Sequence, residues 1–260
     1  MSYIKTSETR YRPDFSYYEN DAVIGHSIQE YGEYSQPEVD FLLSMLNDRS
    51  VVYDIGGNIG YHCRAFASKA EHVYSFEPNP DNYHLLKLNT NDVSNVTTFP
   101  CAVGHEFATC KISTYDLSEL SNYGAVVSGH DFEGVETVLV PIDAMGLPKP
   151  DLIKIDVEGA ELAVFLGARQ TIAKHQPVIF YEAHETQHFR EIYDILSPHP
   201  YRFYWVGVNN YNPNNYKNNS NNIFANTGLF SVIAWPKHLG ELGLPEVQGR
   251  NDDVSKFYKK

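Results

Sequence analysis

The stretch "VVYDIGGNIGYHCRAFASKA", residues 51–70, surrounds Asp54 with apolar and aromatic residues, follows it with Gly56, Gly57, Asn58 and Gly60, and then enters a helical pattern. A strand that ends in glycines and turns into a helix presents backbone N–H groups and a positive helix end at the carboxyl edge of a sheet, where open α/β folds bind ligands. A dinucleotide fingerprint counted from Gly56 needs glycine at position 58, where backbone approaches a pyrophosphate. Here that position is Asn58, and Asp54 stands two residues before the turn. An acid there repels a pyrophosphate but can hold an ammonium group, directly or through water. Glu77, followed by Pro78 in "FEPNP", lies about 20 residues past the first glycine, the distance at which a carboxylate meets a ribose diol. An ammonium and a ribose in one ligand point to S-adenosylmethionine, a sulfonium methyl donor, in preference to NAD.

The next chemically loaded segment is "DLIKIDVEGAE". Lys154, Asp156 and Glu158 recur with period two, so the spacing predicts that they share one strand face near its carboxyl end. Charged groups in a central strand are costly unless used or paired. Methyl transfer to oxygen needs an alkoxide-like nucleophile. Asp156 could take the acceptor's proton, or hold a divalent cation such as Mg or Mn that lowers the alcohol's pKa. The alternative is an internal ion pair with Lys154 that only orders the site. Glu161 reads as a residue favoured by the helix dipole. Glu182 and His184, at the tip of the strand "PVIFYEA", are predicted to face the same cleft as substrate, base or metal groups beside Asp156.

"HETQH", residues 184–188, also matches the zinc pattern H-E-x-x-H, which needs both histidines one turn apart on a single helix. A strand running up to His184 and the lack of a following G-x-x-H argue against that hydrolase reading. A zinc-dependent hydrolase and a non-catalytic nucleotide-binding protein on the same fold remain the alternatives, because fold does not fix function.

These residues need a scaffold that brings strand ends together. Seven β-rich runs, at 50–56, 72–78, 96–103, 151–157, 177–183, 201–208 and 228–235, are spaced by helical patterns at 60–69, 80–90, 161–173 and 186–196. Strands alternating with helices predict a mostly parallel sheet covered on both faces. The last two runs are joined by a loop and predict an antiparallel hairpin at one edge. "QPEVDFLLSMLNDR", residues 36–49, predicts an amphipathic helix packed on the domain. Residues 104–136 read as surface with short β-like pieces. The Asn-rich segment 209–222 reads either as a disordered tip or as a loop closing over a polar ligand.

At 260 residues the chain is long enough for one full core. A net charge of −13 argues against nucleic acid or an anionic membrane as partner. Three sparse cysteines suit a reducing compartment as buried small side chains. The polar N-terminus and the lack of an 18-residue apolar run predict a cytoplasmic protein without a membrane span. The division read from these patterns is an N-terminal extension packed on the core at 1–35, an S-adenosylmethionine-binding domain at 36–236 and a C-terminal tail at 237–260.

"VVYDIGGNIGYHCRAFA", "VYSFEPNPDNYHLLKLN", "DLIKIDVEGAELAVFLGA" and "PVIFYEAHE" together resemble the FkbM-type S-adenosylmethionine-dependent methyltransferases; "GEYSQPEVDFLL" upstream and "NTGLFSV" near the end are similar as well. The resemblance implies a class I, Rossmann-like methyltransferase sheet of seven strands, and commonly O-methylation of a hydroxyl on a sugar, glycan or natural product. Under it Asp54, Gly56, Gly57, Asn58, Gly60, Glu77, Pro78, Ala102 and Asp156 would line the donor site. Residues 104–136 and the segment after 236 carry no part of it, so the acceptor is not named by it.

Overall fold

The computed structural model describes residues 3–125, 128–129, 133–183, 186–225 and 227–253. The strands are β1 (Ile4–Thr9), β2 (Arg12–Tyr18), β3 (Val51–Ile55), β4 (His72–Phe76), β5 (Val96–Phe99), β6 (Ala102–Val103), β7 (Ala108–Ile112), β8 (Ser128–Gly129), β9 (Val135–Val140), β10 (Leu152–Ile155), β11 (Val178–Glu182), β12 (Tyr201–Asn209) and β13 (Gly228–Pro236). The helices are α1 (Ile24–Tyr31), α2 (Gln36–Ser44), α3 (Tyr61–Ala67), α4 (Pro80–Thr90), α5 (Glu161–Gly167), α6 (Arg169–His175) and α7 (Thr186–Leu196).

The main sheet has the order β12-β13-β11-β10-β3-β4-β5. β11, β10, β3, β4 and β5 run parallel, while β13 is antiparallel to both neighbours and sits between β11 and β12. The sequence expectation of a class I methyltransferase sheet with a terminal antiparallel hairpin is met. The order reverses between β3 and β10, so their carboxyl ends frame a crevice.

Apolar residues on alternate positions build a layer on each face. Tyr53, Ile55, Ile153, Ile155 and Tyr181 pack against Val164, Phe165 and Phe189. On the other face Val52, Leu152 and Phe180 pack against Leu42, Phe66 and Leu86. Burial on both faces explains why the central strands read as near-continuous apolar runs. A third cluster joins Phe15, Tyr18 and Ile28 of the N-terminal hairpin and α1 to Ile59, Ala65 and Leu85.

The structure departs from the sequence expectations in four places. The run 96–103 divides at Pro100 into β5 and β6, and β6 belongs to a separate sheet of order β6-β9-β7-β8 built from the region read as surface. The helix expected over 161–173 is two helices, α5 and α6, parted at Ala168, whose φ of −116° and ψ of 11° lie outside the helical region; beside it Gly167 lies against Gly104, whose carbonyl oxygen would be 1.8 Å from a Cβ there. The helix expected over 36–49 ends at Ser44. The Asn-rich segment is neither an open tip nor chiefly a lid. Asn212 and the backbone N–H of Tyr216 donate to buried Glu33 at 2.7 and 2.9 Å, and the backbone N–H of Lys217 donates to Tyr31 at 3.1 Å. Among the described residues, no helix is long and apolar enough to cross a membrane.

Candidate functional site

A cavity of about 510 Å³ opens at the carboxyl ends of β3, β4 and β10. Its floor is the turn after β3. Gly56 has φ of 88°, and a Cβ there would lie 1.8 Å from the Asp156 carbonyl oxygen, so the chain crosses beside β10 only as glycine. The N–H groups of Gly56 and Gly57 both donate to the Phe76 carbonyl, at 3.0 and 2.8 Å, which ties the turn to β4. Asn58 is left-handed, φ 47°, a conformation asparagine tolerates, and its side-chain oxygen accepts from the Ile59 N–H at 2.7 Å. Gly60 closes the turn in the left-handed region ahead of α3, with Leu86 packed against it.

Glu77 stands at the end of β4 and is 5% exposed. Its two oxygens each accept one backbone N–H, from Asn58 and from Asn79, both at 2.8 Å. Asn79 in turn caps α4 by accepting from the Asp81 and Asn82 N–H groups. Burial pushes the Glu77 carboxyl up to about 7, against the two N–H bonds, which hold it down. Each oxygen retains a lone pair for a ligand's hydroxyl.

The wall beside this turn is charged. Lys154 is 2% exposed on β10, next to its register partner Asp54 on β3. Its Nζ lies 3.2 Å from Asp156 Oδ2, 3.6 Å from Asp54 Oδ1 and 3.4 Å from the Gly56 carbonyl. Burial works against the ammonium, but the two carboxylates raise Lys154 above its ordinary value, so it stays charged. Enclosure alone would raise Asp156; the Lys154 charge and a hydrogen bond with Glu182 bring it below its ordinary value. Tyr34, also lining the cavity, is raised well above its ordinary value by burial and by the field of Asp156, Glu38 and Glu182.

Gly56, Gly57, Asn58, Glu77, Pro78 and Ala102 line the cavity together. So do Lys154, Asp156, Glu158 and Glu182. Asp54 does not line it: the carboxylate is wholly buried below the turn, facing Lys154 and accepting from Ser75 at 3.0 Å. Gly60 shapes the turn without lining the cavity. The period-two face expected for Lys154, Asp156 and Glu158 ends early, because β10 stops at Ile155 and Glu158 lies in a turn with φ of 50°. Glu161 opens α5 and accepts from the Gly159 N–H at 3.1 Å, the N-terminal role read for it. His184 and Glu185 lie outside the described residues, and α7 begins after them at Thr186. Among the described residues, no group of three His, Cys, Asp or Glu side chains is placed to hold a metal ion.

Two cavity residues, His62 and Asn210, and Glu38, which contacts His62, were not read from the sequence. His62, in the first turn of α3, has Nε2 3.1 Å from Glu38 Oε1, and both side chains are buried. The helix after a glycine turn faces the crevice, so His62 had a signal. Glu38 had only its place among the buried residues of α2. Asn210 follows β12, and its side-chain oxygen is buried without a hydrogen-bond partner among the described residues. A buried acceptor of this kind is expected where a ligand donates.

Residues 54–203 match the methyltransferase FkbM domain, more than half of the chain. The chain is 30% identical over 164 residues to the hexuronic acid methyltransferase AglP of Haloferax volcanii, covering 62% of this chain and 67% of that protein. It is 27% identical over 148 residues to methyltransferase 1 of Beauveria bassiana, covering 46% of this chain and 59% of that relative. A crystal structure of an FkbM methyltransferase from Methylobacillus flagellatus aligns with TM-score 0.48 and 21% identity, over 72% of this chain and 44% of that one. With Gly56, Glu77, Asp156 and Glu182 falling inside the matched span and its strands in the order such a sheet requires, the chain belongs to the FkbM methyltransferase family.

Proposed function

We propose that the chain is an S-adenosylmethionine-dependent O-methyltransferase whose acceptor is a hydroxyl of a sugar, glycan or related natural product. The observation that carries this reading is Glu77, a buried carboxylate lining a ligand-sized cavity beside a turn only glycine can make. The residues fit the donor. Glu77 would accept from a ribose diol, the Gly56–Asn58 turn would lie under the amino-acid end, and Ala102 and Pro78 would border the base. The donor, when bound, supplies an electrophilic methyl group on a sulfonium.

The chain's own groups supply orientation and charge. Asp156, just past the end of β10 with Lys154 and Glu182 beside it, lines the cavity. Asp156 and Glu182, which line the cavity together, would be the groups to hold Mg²⁺ or Mn²⁺ if the reaction uses one. Asn210 offers an unpaired acceptor to a hydroxyl donor, as suits a polyol. The Haloferax volcanii relative, named for a hexuronic acid, supports a sugar acceptor. The net charge of −13 supports an acceptor other than nucleic acid. The test is transfer of isotopically labelled methyl from S-adenosylmethionine to a panel of glycosides and uronides. Methyl ethers on a glycoside uphold the reading; no turnover of the donor with any acceptor would remove it.

A further inference from the structure

An oxygen that gains a methyl group must lose its proton, and Asp156 is already engaged, by the Lys154 ammonium at 3.2 Å and by a hydrogen bond with Glu182. A general base works best with a pKa near the working pH, which favours imidazole over such a carboxylate. His62 lines the same cavity and is 8% exposed. Glu38, 4% exposed on α2, meets its Nε2 at 3.1 Å. A carboxylate in that place selects the tautomer with the proton on Nε2, which donates to Glu38, and leaves the lone pair on Nδ1. Among the described residues, no hydrogen bond is made to Nδ1. The ionisable groups beside the imidazole are Tyr34 and Tyr61, with ring centroids 6.1 and 6.4 Å from it, and Asp156, which feels a charge on it; Lys154, Glu77, Glu158 and Glu182 line the same cavity, Lys154 already between two carboxylates.

We propose that His62, held in one tautomer by Glu38, takes the acceptor's hydroxyl proton. The inference rests on the methyl-transfer reading above. The O–H proton passes to Nδ1, giving an imidazolium stabilised by Glu38. An oxygen lone pair forms the new O–C bond to the methyl group as the S–C bond of the sulfonium breaks, its pair remaining on sulfur as a neutral thioether. The imidazolium then returns its proton to water. His62 is the catalytic residue and Glu38 a positioning residue.

Two readouts test this. Long-range ¹H–¹⁵N spectra of the full chain with S-adenosylhomocysteine bound should show neutral His62 protonated on Nε2 and bare on Nδ1, and Glu38→Gln should mix the tautomers. With the best glycoside of the panel, His62→Gln should lower kcat by about 100-fold or more, the scale of general-base contributions, with S-adenosylhomocysteine affinity within about twofold. Glu38→Gln should lower kcat by about tenfold and alter the pH–rate profile, with S-adenosylhomocysteine affinity within about twofold. A proton on Nδ1 in the wild type, or a His62→Gln enzyme with near wild-type kcat and an unchanged pH profile, would overturn the assignment. If His62→Gln does not fold, the wild-type tautomer decides. A wild type that neither binds S-adenosylhomocysteine nor transfers methyl refutes the parent reading instead.

Discussion

Binding of S-adenosylhomocysteine should release a proton from Glu77. This carboxyl is 5% exposed and is pushed up from 4.5 to about 7 by burial. The folded chain therefore keeps a proton that the unfolded chain has lost between those two values, so this group makes stability fall as pH rises from about 4.5 to about 7. A ribose diol donates two hydrogen bonds and favours the ionised carboxylate, whose oxygens each keep a free lone pair beside the N–H bonds from Asn58 and Asn79. If the ionised form alone takes the diol, about one molecule in eleven is competent at about pH 6 and about ten in eleven at about pH 8. Affinity should then rise about tenfold across that range, about 1.4 kcal/mol. Glu77→Gln should flatten the dependence and weaken binding at about pH 8 by about 1.5–3 kcal/mol, the range for hydrogen bonds to charged groups. Calorimetric titration in two buffers of different ionisation enthalpy reads both affinity and proton count. A wild-type affinity unchanged from about pH 6 to 8 with no proton release, or a Glu77→Gln chain binding as tightly as wild type, would refute the reasoning.

Other variants probe separate parts. Gly56→Ala places a methyl group 1.8 Å from the Asp156 carbonyl oxygen and should abolish S-adenosylhomocysteine binding or prevent folding, separable by circular dichroism and calorimetry. Asp156→Asn keeps the shape, removes a charge from Lys154, and should lower kcat by about 100-fold or more with donor affinity little changed. If a chelator abolishes wild-type activity and Mg²⁺ or Mn²⁺ restores it, Asp156 acts through a metal; if chelation changes nothing, it acts by charge alone. Glu33→Gln removes one of two charged oxygens that accept from Arg10, Asn212 and the Tyr216 N–H, and should cost about 2–4 kcal/mol in denaturant unfolding while sparing donor affinity.

The scaffold was readable where burial is uniform. Val52 to Ile55 and Leu152 to Ile155 are buried throughout, so β3 and β10 announce themselves as apolar runs, and the glycine turn between β3 and α3 carries its own signature. Elements set by distant neighbours were not readable. The close approach of Gly104 to Gly167, beside the break between α5 and α6, joins residues more than sixty positions apart. Asp54 looked like a ligand group because spacing alone does not show that Lys154, its register partner on the neighbouring strand, pairs with it below the turn. The Asn-rich segment looked unconstrained because its anchor, Glu33, lies far away in the chain. For the same reason Glu38, which joins α2 to His62 of α3, left no local pattern.

The most direct test of the account is a crystal structure of the chain with S-adenosylhomocysteine. It should show the ribose hydroxyls on Glu77, the amino-acid end above the Gly56–Asn58 turn and the base beside Ala102, with the thioether sulfur facing Asp156 and His62. A ligand bound elsewhere with Glu77 untouched, or a crevice that takes NAD and refuses S-adenosylhomocysteine, would contradict it.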